Sequence, residues 1–308
     1  MALAVSAQAQ YNLLYQFGSS TNDGKSPCGD LTLSGSTLYG MTSEGGTNTV
    51  VINGLTSTAG VIFQISTNGA GYTILHQFGS SANDGGWPDG SLILSGSILY
   101  GMTGGGGTNG DGVIFQIGTN GTGYTILHQF GSSNSDGQGP EGSLTLSGST
   151  LYGMTSFGGT NDGGDGVIFQ ISTNGTGYAI MHQFGSSPSD GEFPEGSLTL
   201  SGSTLYGMTS EGGTNGYGVI FSLGGVGLAL QITSITQTGN DIAISWTTGG
   251  IGSTNELQAA AGAADGNYNT NNFPTIFAVT NVVGPATNYL DVGGATNTPA
   301  RYYRVASP

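Results

Sequence analysis

Carboxyl groups in register are the first chemistry this sequence offers. Asp23, Asp84, Asp136 and Asp190 each precede a glycine at the same point of a recurring segment. Asp89, Glu141 and Glu195 form a second series, in which Cys28 takes the fourth place. Oxygen-rich loops suit calcium, a cationic group or a hydroxyl-rich ligand. A pair of carboxyl groups set roughly 5–9.5 Å apart can instead cleave a glycosidic bond. Trp87, Phe157, Phe193 and Tyr217 stand close to these acids in the chain, where aromatic rings could stack on sugars. The candidate ligand face is therefore Asp84, Asp89, Asp136, Glu141, Asp190 and Glu195 with Trp87, Phe193 and Tyr217. Asp23, Asp84, Asp136 and Asp190 are the calcium candidates. A plainer account competes for the Asp-Gly series, because an Asp side chain that bonds nearby backbone N–H groups is ordinary turn chemistry. No EF-hand ligand run accompanies these residues, which weakens the calcium case.

His76, His128 and His182 invite a metal or catalytic reading, but they recur in three different repeats, with Tyr15 in the equivalent fourth place. Side chains dispersed in that way cannot converge on one ion, so packing is the expected role. The chain carries no G-x-S-x-G, no H-E-x-x-H and no glycine-rich loop ending in Lys. Glu192 and Glu195 are neighbours in one loop, which says nothing about the spacing that glycoside cleavage requires. No catalytic residue is assigned on these grounds.

The balance of charge narrows the partners. Against 18 acids the 308 residues hold three bases, Lys25, Arg301 and Arg304, for a net charge of −15. Nucleic acid is excluded as a general partner, because there is no basic surface to replace phosphate counterions. No apolar run approaches the ~20 residues that span a bilayer. A single cysteine, Cys28, rules out an intramolecular disulfide framework. Residues 1–10 end in Ala7-Gln8-Ala9 and read as the remnant of a secretory leader, which predicts an exported protein at the cell surface or beyond it.

Four repeats must position the acids. LYGMT recurs at Leu38, Leu99, Leu151 and Leu205, and VIFQI or VIFSL at Val61, Val113, Val167 and Val219. A period near 50 residues indicates a repeat architecture. In the second copy four strands are predicted, Ser91–Ser95, Ile98–Thr103, Gly112–Ile117 and Tyr124–Phe130. They are joined by Gly96-Ser97 and by a turn containing Asn120-Gly121. Glycines inside the strands, such as Gly101 and Gly153, mark close backbone approach. Four antiparallel strands make one propeller blade. The fourth repeat stops after its third strand, and the missing sequence recurs at the front of the chain as Tyr11–Phe17. The expectation is an all-β, four-bladed β-propeller over residues 11–223, closed by that N-terminal strand. All acids of the repeats then fall in loops of one face.

The recurring pattern DGxxPxGSLxLSGSxLYGMTxxGGTNxxGVIFQIxTNG closely resembles the GloVer (Gloeobacter–Verrucomicrobia) tandem repeat of secreted bacterial proteins. The resemblance implies an exported, kelch-like β protein and transfers no catalytic residue. After a glycine linker at 224–227, residues 228–308 carry short strand signals around Trp246. Together with the ending TNTPARYYRVASP they resemble a fibronectin type III-like module, a small β-sandwich. The leading functional expectation is a secreted, non-enzymatic protein that binds polysaccharide or another surface component through its acidic face, without a cofactor unless calcium binds. An extracellular carbohydrate-active enzyme and a self-assembling subunit of a filament or surface layer are the alternatives.

Overall fold

A computed structural model of the chain describes residues 9–52, 55–161, 163–226, 232–238, 240–247, 255–261, 275–279, 286–291 and 301–306. The expected leader remnant falls almost wholly outside them, as do residues 227–231 at the expected linker and the start of the C-terminal region. Two compact units are formed, one of Met1–Leu198 with Gly207–Ile220 and one of Thr199–Tyr206 with Phe221–Pro308. All described regular structure is β-strand and turn.

Each repeat folds into an antiparallel sheet much as its period-2 patterning dictates. In the second repeat the strands are Ile93–Ser95, Ile98–Thr103, Val113–Gly118 and Thr125–Gln129. The third strand pairs with the second and the fourth on either side. The first repeat contributes Gly24–Ser34, Thr37–Gly45, Val61–Ser66 and Thr73–Gln77. Its inserted segment makes a separate hairpin, Thr49–Ile52 with Leu55–Thr58. Central strands are covered on both faces, so Val113, Phe115 and Ile117 are buried together with Ile114. That double burial explains why the third strand is apolar almost throughout rather than alternating. A Cβ on Gly101 would stand 2.5 Å from Phe115 Cζ, and one on Gly153 would meet Phe169 at the same distance. Glycine is required there by close packing.

Successive sheets share their cores. Tyr39, Met41, Ile62 and Phe78 of the first repeat cluster with Leu92, Leu99 and Phe115 of the second. Burying such side chains stabilises by roughly 1.5–3 kcal/mol each. Hydrogen bonds tie the first strands across each boundary: Asp30 N donates to Ser91 Oγ, Ser91 N to Ser143 Oγ and Ser143 N to Ser197 Oγ, at 2.6–2.9 Å.

The expected closure does not form. Among the described residues no sheet closes into a barrel, so the expected four-bladed propeller closed by Tyr11–Phe17 is corrected to an all-β structure of several separate sheets. Tyr11–Phe17 is not a strand, and Tyr11 is 87% exposed. The segment lies instead on the first repeat, where Tyr15 stacks on Tyr72 at 3.8 Å and Phe17 meets Phe63 edge-on at 5.1 Å. Those aromatic contacts are available within a few tens of residues, at a small loop-closure cost. The fourth sheet therefore keeps three strands, Gly191–Ser201, Thr204–Gly212 and Ile220–Gly224. Its Met208 is 60% exposed and its Ile220 82%, whereas Met102 and Ile114, the same positions of the second repeat, are buried.

In the second unit Ile232–Thr238, Asp241–Thr247 and Ala286–Asp291 form one three-stranded sheet. Thr275–Val279, Asn255–Ala261 and Arg301–Ala306 form another. Ile244 and Trp246 of the first and Leu257 of the second are buried in one cluster. Trp246 is the largest side chain of that cluster and is fully buried.

Candidate functional site

The Asp-Gly series turns out to lock the repeats together. Asp136 Oδ1 accepts from Gly137 N and the Tyr178 hydroxyl, and Oδ2 accepts from Ser132 N and Oγ, all within 3.0 Å. His128 Nε2 stands 3.2 Å from Oδ2. The same set recurs at Asp84, with Gly85, Ser80, His76 and Tyr124. At Asp23 the tyrosine Tyr15 replaces the histidine. Two of the histidine rings stack on the tyrosine of the following repeat, His76 on Tyr124 at 3.7 Å and His128 on Tyr178 at 3.6 Å. Burial raises the Asp136 carboxyl pKa, but donors from His128, Tyr178 and Ser132 more than offset that and hold it at about 2. Both oxygens of these carboxylates are engaged by N–H and O–H donors, a set that suits an anion fixed into the fold. Among the described residues no group of three or more His, Cys, Asp or Glu side chains is arranged to hold a metal ion. The histidines pack, as their dispersal over three repeats predicts, but the tyrosine is unexpected, because Tyr178 and Asp136 lie 42 residues apart. The common period of His, Asp and Tyr carried that signal.

The second series has a different fate. Cys28, Asp89 and Glu141 line one cavity of about 710 Å³, walled by Trp87 and Phe157 and edged by Glu44, Asp111 and Gln138. Each of the three follows a proline that itself follows a residue with positive φ: Ser26 at 54°, Trp87 at 54° and Gly139 at 57°. Phe193, before Pro194 and Glu195, repeats the geometry at 52°. Hydrogen bonds hold the turn open: Trp87 N donates to Ala59 O at 3.0 Å and Gly104 N to Trp87 O at 2.9 Å. The Trp87 indole Nε1 donates to Thr58 O at 3.2 Å. A left-handed conformation costs a non-glycine residue about 1 kcal/mol or more and persists where the surroundings enforce it. Here it turns Trp87 onto the cavity.

Electrostatics separate the members of this series. Burial pushes the Glu141 carboxyl above the usual range, the Ser156 hydroxyl pulls it back, and the charges of Asp89 and Glu195 push it up again. Burial and the charge of Asp89 raise the Cys28 thiol to about 11, and Sγ donates to Pro88 O at 3.1 Å. Cys28 is thus a neutral wall residue rather than a nucleophile.

The cavity brings together three of the nine expected ligand residues, Trp87, Asp89 and Glu141. Glu195 acts on Glu141 through its charge, and Phe193 backs the wall by packing on Phe157 at 5.5 Å. Asp84, Asp136 and Asp190 belong to the locks, and Tyr217 is 91% exposed. Gln138 and Asp111 on the cavity edge were not foreseen.

Residues 4–221 match the family described as the Gloeobacter/Verrucomicrobia repeat. No curated protein matches the chain. Similar solved structures include a nidogen/laminin complex, 18% identical with a TM-score of 0.39 over 72% of this chain and 70% of that one. An alpha-L-arabinofuranosidase from Clostridium thermocellum is 9% identical, with a TM-score of 0.38 over 79% and 92% of the two chains. An endo-arabinase from Bacteroides thetaiotaomicron is 11% identical, with a TM-score of 0.32 over 96% and 98% of the two chains. Glycosidases recur in this set. The expectation of a non-enzymatic protein is corrected to this extent, that glycosidases are among the structures to which the chain is similar.

Proposed function

The chain belongs to the Gloeobacter/Verrucomicrobia repeat family, and from that premise we propose that it is an exported carbohydrate-active protein that cleaves a glycosidic bond in the cavity between Trp87 and Phe157. The observation that carries this reading is the pairing of Glu141, which keeps its proton to a higher pH than an ordinary glutamic acid, with Asp89 in one aromatic-walled cavity. A carboxylic acid raised by burial is suited to act as general acid while a nearby carboxylate acts as base. Glu141 gives its proton to the leaving glycosidic oxygen as the bond to the anomeric carbon breaks. Water forms the new bond to that carbon, and Asp89 takes the proton released. Trp87 and Phe157 supply flat apolar surfaces for sugar rings, and Gln138 at the edge offers donors and an acceptor to hydroxyl groups.

Release of reducing ends from a panel of soluble polysaccharides tests the reading. The wild-type protein should turn over at least one of them, and Glu141→Gln and Asp89→Asn should each lower that turnover by about 100-fold or more while the glycan is still retained. Retention without turnover by the wild-type protein would leave a binding face in place of an enzyme. A wild-type protein that neither retains nor turns over any of the polysaccharides would overturn the assignment of the cavity.

A further inference from the structure

The fourth repeat carries half of a junction that is complete at the other repeats. At Asp84 and Asp136 the lock has three members: a histidine from the preceding sheet, the aspartate, and a tyrosine from the outer strand of the aspartate's own repeat. At Asp190 the histidine is present, with His182 Nε2 3.1 Å from Oδ2. Among the described residues no tyrosine donates to Asp190. The pair is correspondingly open: the His182 side chain is 33% exposed, against 13% for His76. The apolar half of the junction is equally unfinished, since Met208 and Ile220 face solvent where their counterparts Met41 and Ile62 are covered by Leu92.

The complement to both halves lies at the other end of the repeats. Leu31 is 54% exposed although its counterpart Leu92 is buried, and Leu33 beside it is also exposed. Tyr11–Phe17 reads YNLLYQF where the third repeat's outer strand reads YAIMHQF, so Tyr11 stands at the position of Tyr178. This segment already sits on the first repeat as an outer strand sits on the next sheet: Tyr15 stacks on Tyr72 and donates to Asp23, as His128 stacks on Tyr178 beside Asp136. Tyr11, Leu13 and Leu14 of the segment are exposed.

We propose that the fourth sheet of one copy docks on the first repeat of a second copy, whose Tyr11–Phe17 segment becomes the missing outer strand beside Ile220. Tyr11 then donates to Asp190 and stacks on His182, while Met208 and Ile220 cover Leu31 and Leu33. Neither copy has to rearrange, because the new contact repeats the junction used between adjacent repeats within the chain. The interface is heterologous, one end against the other, and propagates until a ring closes or a filament forms.

Sedimentation of the full chain over a range of concentrations tests this. The wild-type protein should form dimers or larger species. Ile220→Asp and Leu33→Asp, both at exposed positions, should each weaken association roughly tenfold or more with melting temperatures near that of the wild-type protein. An equimolar mixture of the two variants retains one intact pair of ends and should recover a species of twice the chain mass that grows no further. Tyr11→Ala provides an independent loss of association should either aspartate variant fold poorly. A wild-type protein that stays monomeric at every concentration, or association that all three substitutions leave unchanged, would overturn the proposal.

Discussion

The Tyr178 hydroxyl donates to Asp136 Oδ1 at 2.7 Å while the Tyr178 ring lies flat on His128 at 3.6 Å. One tyrosine thereby joins the outer strand of the second repeat to the third. A hydrogen bond to a buried charged group contributes about 1.5–3 kcal/mol. Tyr178→Phe keeps the stacking and removes the donor, so chemical denaturation should show a loss near the lower end of that range. An unchanged unfolding midpoint would mean that the stacking alone holds the junction.

Acid should unlock the repeats. Asp136 is held at about 2, and Asp23, Asp84 and Asp190 are lowered in the same sense by donors that outweigh burial. For a carboxyl lowered on folding, the stabilisation is present above the unfolded value of 3.8 and is lost as pH falls through the folded one. Melting temperature should therefore drop steeply between about pH 4 and pH 2. A flat profile across that window would contradict the locks.

Glu141 works in the opposite direction. Its carboxyl is raised on folding, so its contribution is full below the unfolded value and is lost as pH rises through the folded one. Glu141→Gln removes the penalty of holding a charge there. Its melting temperature should exceed that of the wild-type protein at neutral pH, and the gap should close on acidification to about pH 4. A variant less stable than the wild-type protein at neutral pH would contradict the assigned direction.

Ser26 holds a left-handed backbone at φ 54°, where the third repeat places Gly139 at 57°. Ser26 is exposed, so its substitution by glycine relieves strain without loss of packing. After the added chain entropy of glycine, Ser26→Gly should gain about 0.5–1 kcal/mol in denaturant unfolding. A loss of stability would show that the serine side chain, not the backbone, sets this turn.

Strand positions were legible because the signals were local. The expected Ile98–Thr103 is found unchanged, and the expected Gly112–Ile117 and Tyr124–Phe130 are found as Val113–Gly118 and Thr125–Gln129. The acidic cavity was partly legible: the register of Asp89 and Glu141 with Cys28 carried over into space, and Trp87 beside them was recognised. Closure was not legible. The likeness of Tyr11–Phe17 to an outer strand is real, but sequence likeness does not say which sheet supplies the pairing edge, and Tyr72 and Phe63 of the first repeat claimed its aromatic rings. The positive φ of Trp87 also escaped notice, since a bulky residue before proline gives no hint of a left-handed turn.

Tryptophan emission tests the central claim most directly. The chain has two tryptophans. Trp246 is fully buried in the second unit and gives a constant background, whereas Trp87 lines the cavity. Titration with oligosaccharides cut from the polysaccharide that the protein turns over should change the emission in a saturable manner, and Trp87→Phe should abolish the change. Turnover or binding that leaves Trp87 emission unaltered would place the carbohydrate elsewhere and contradict the account.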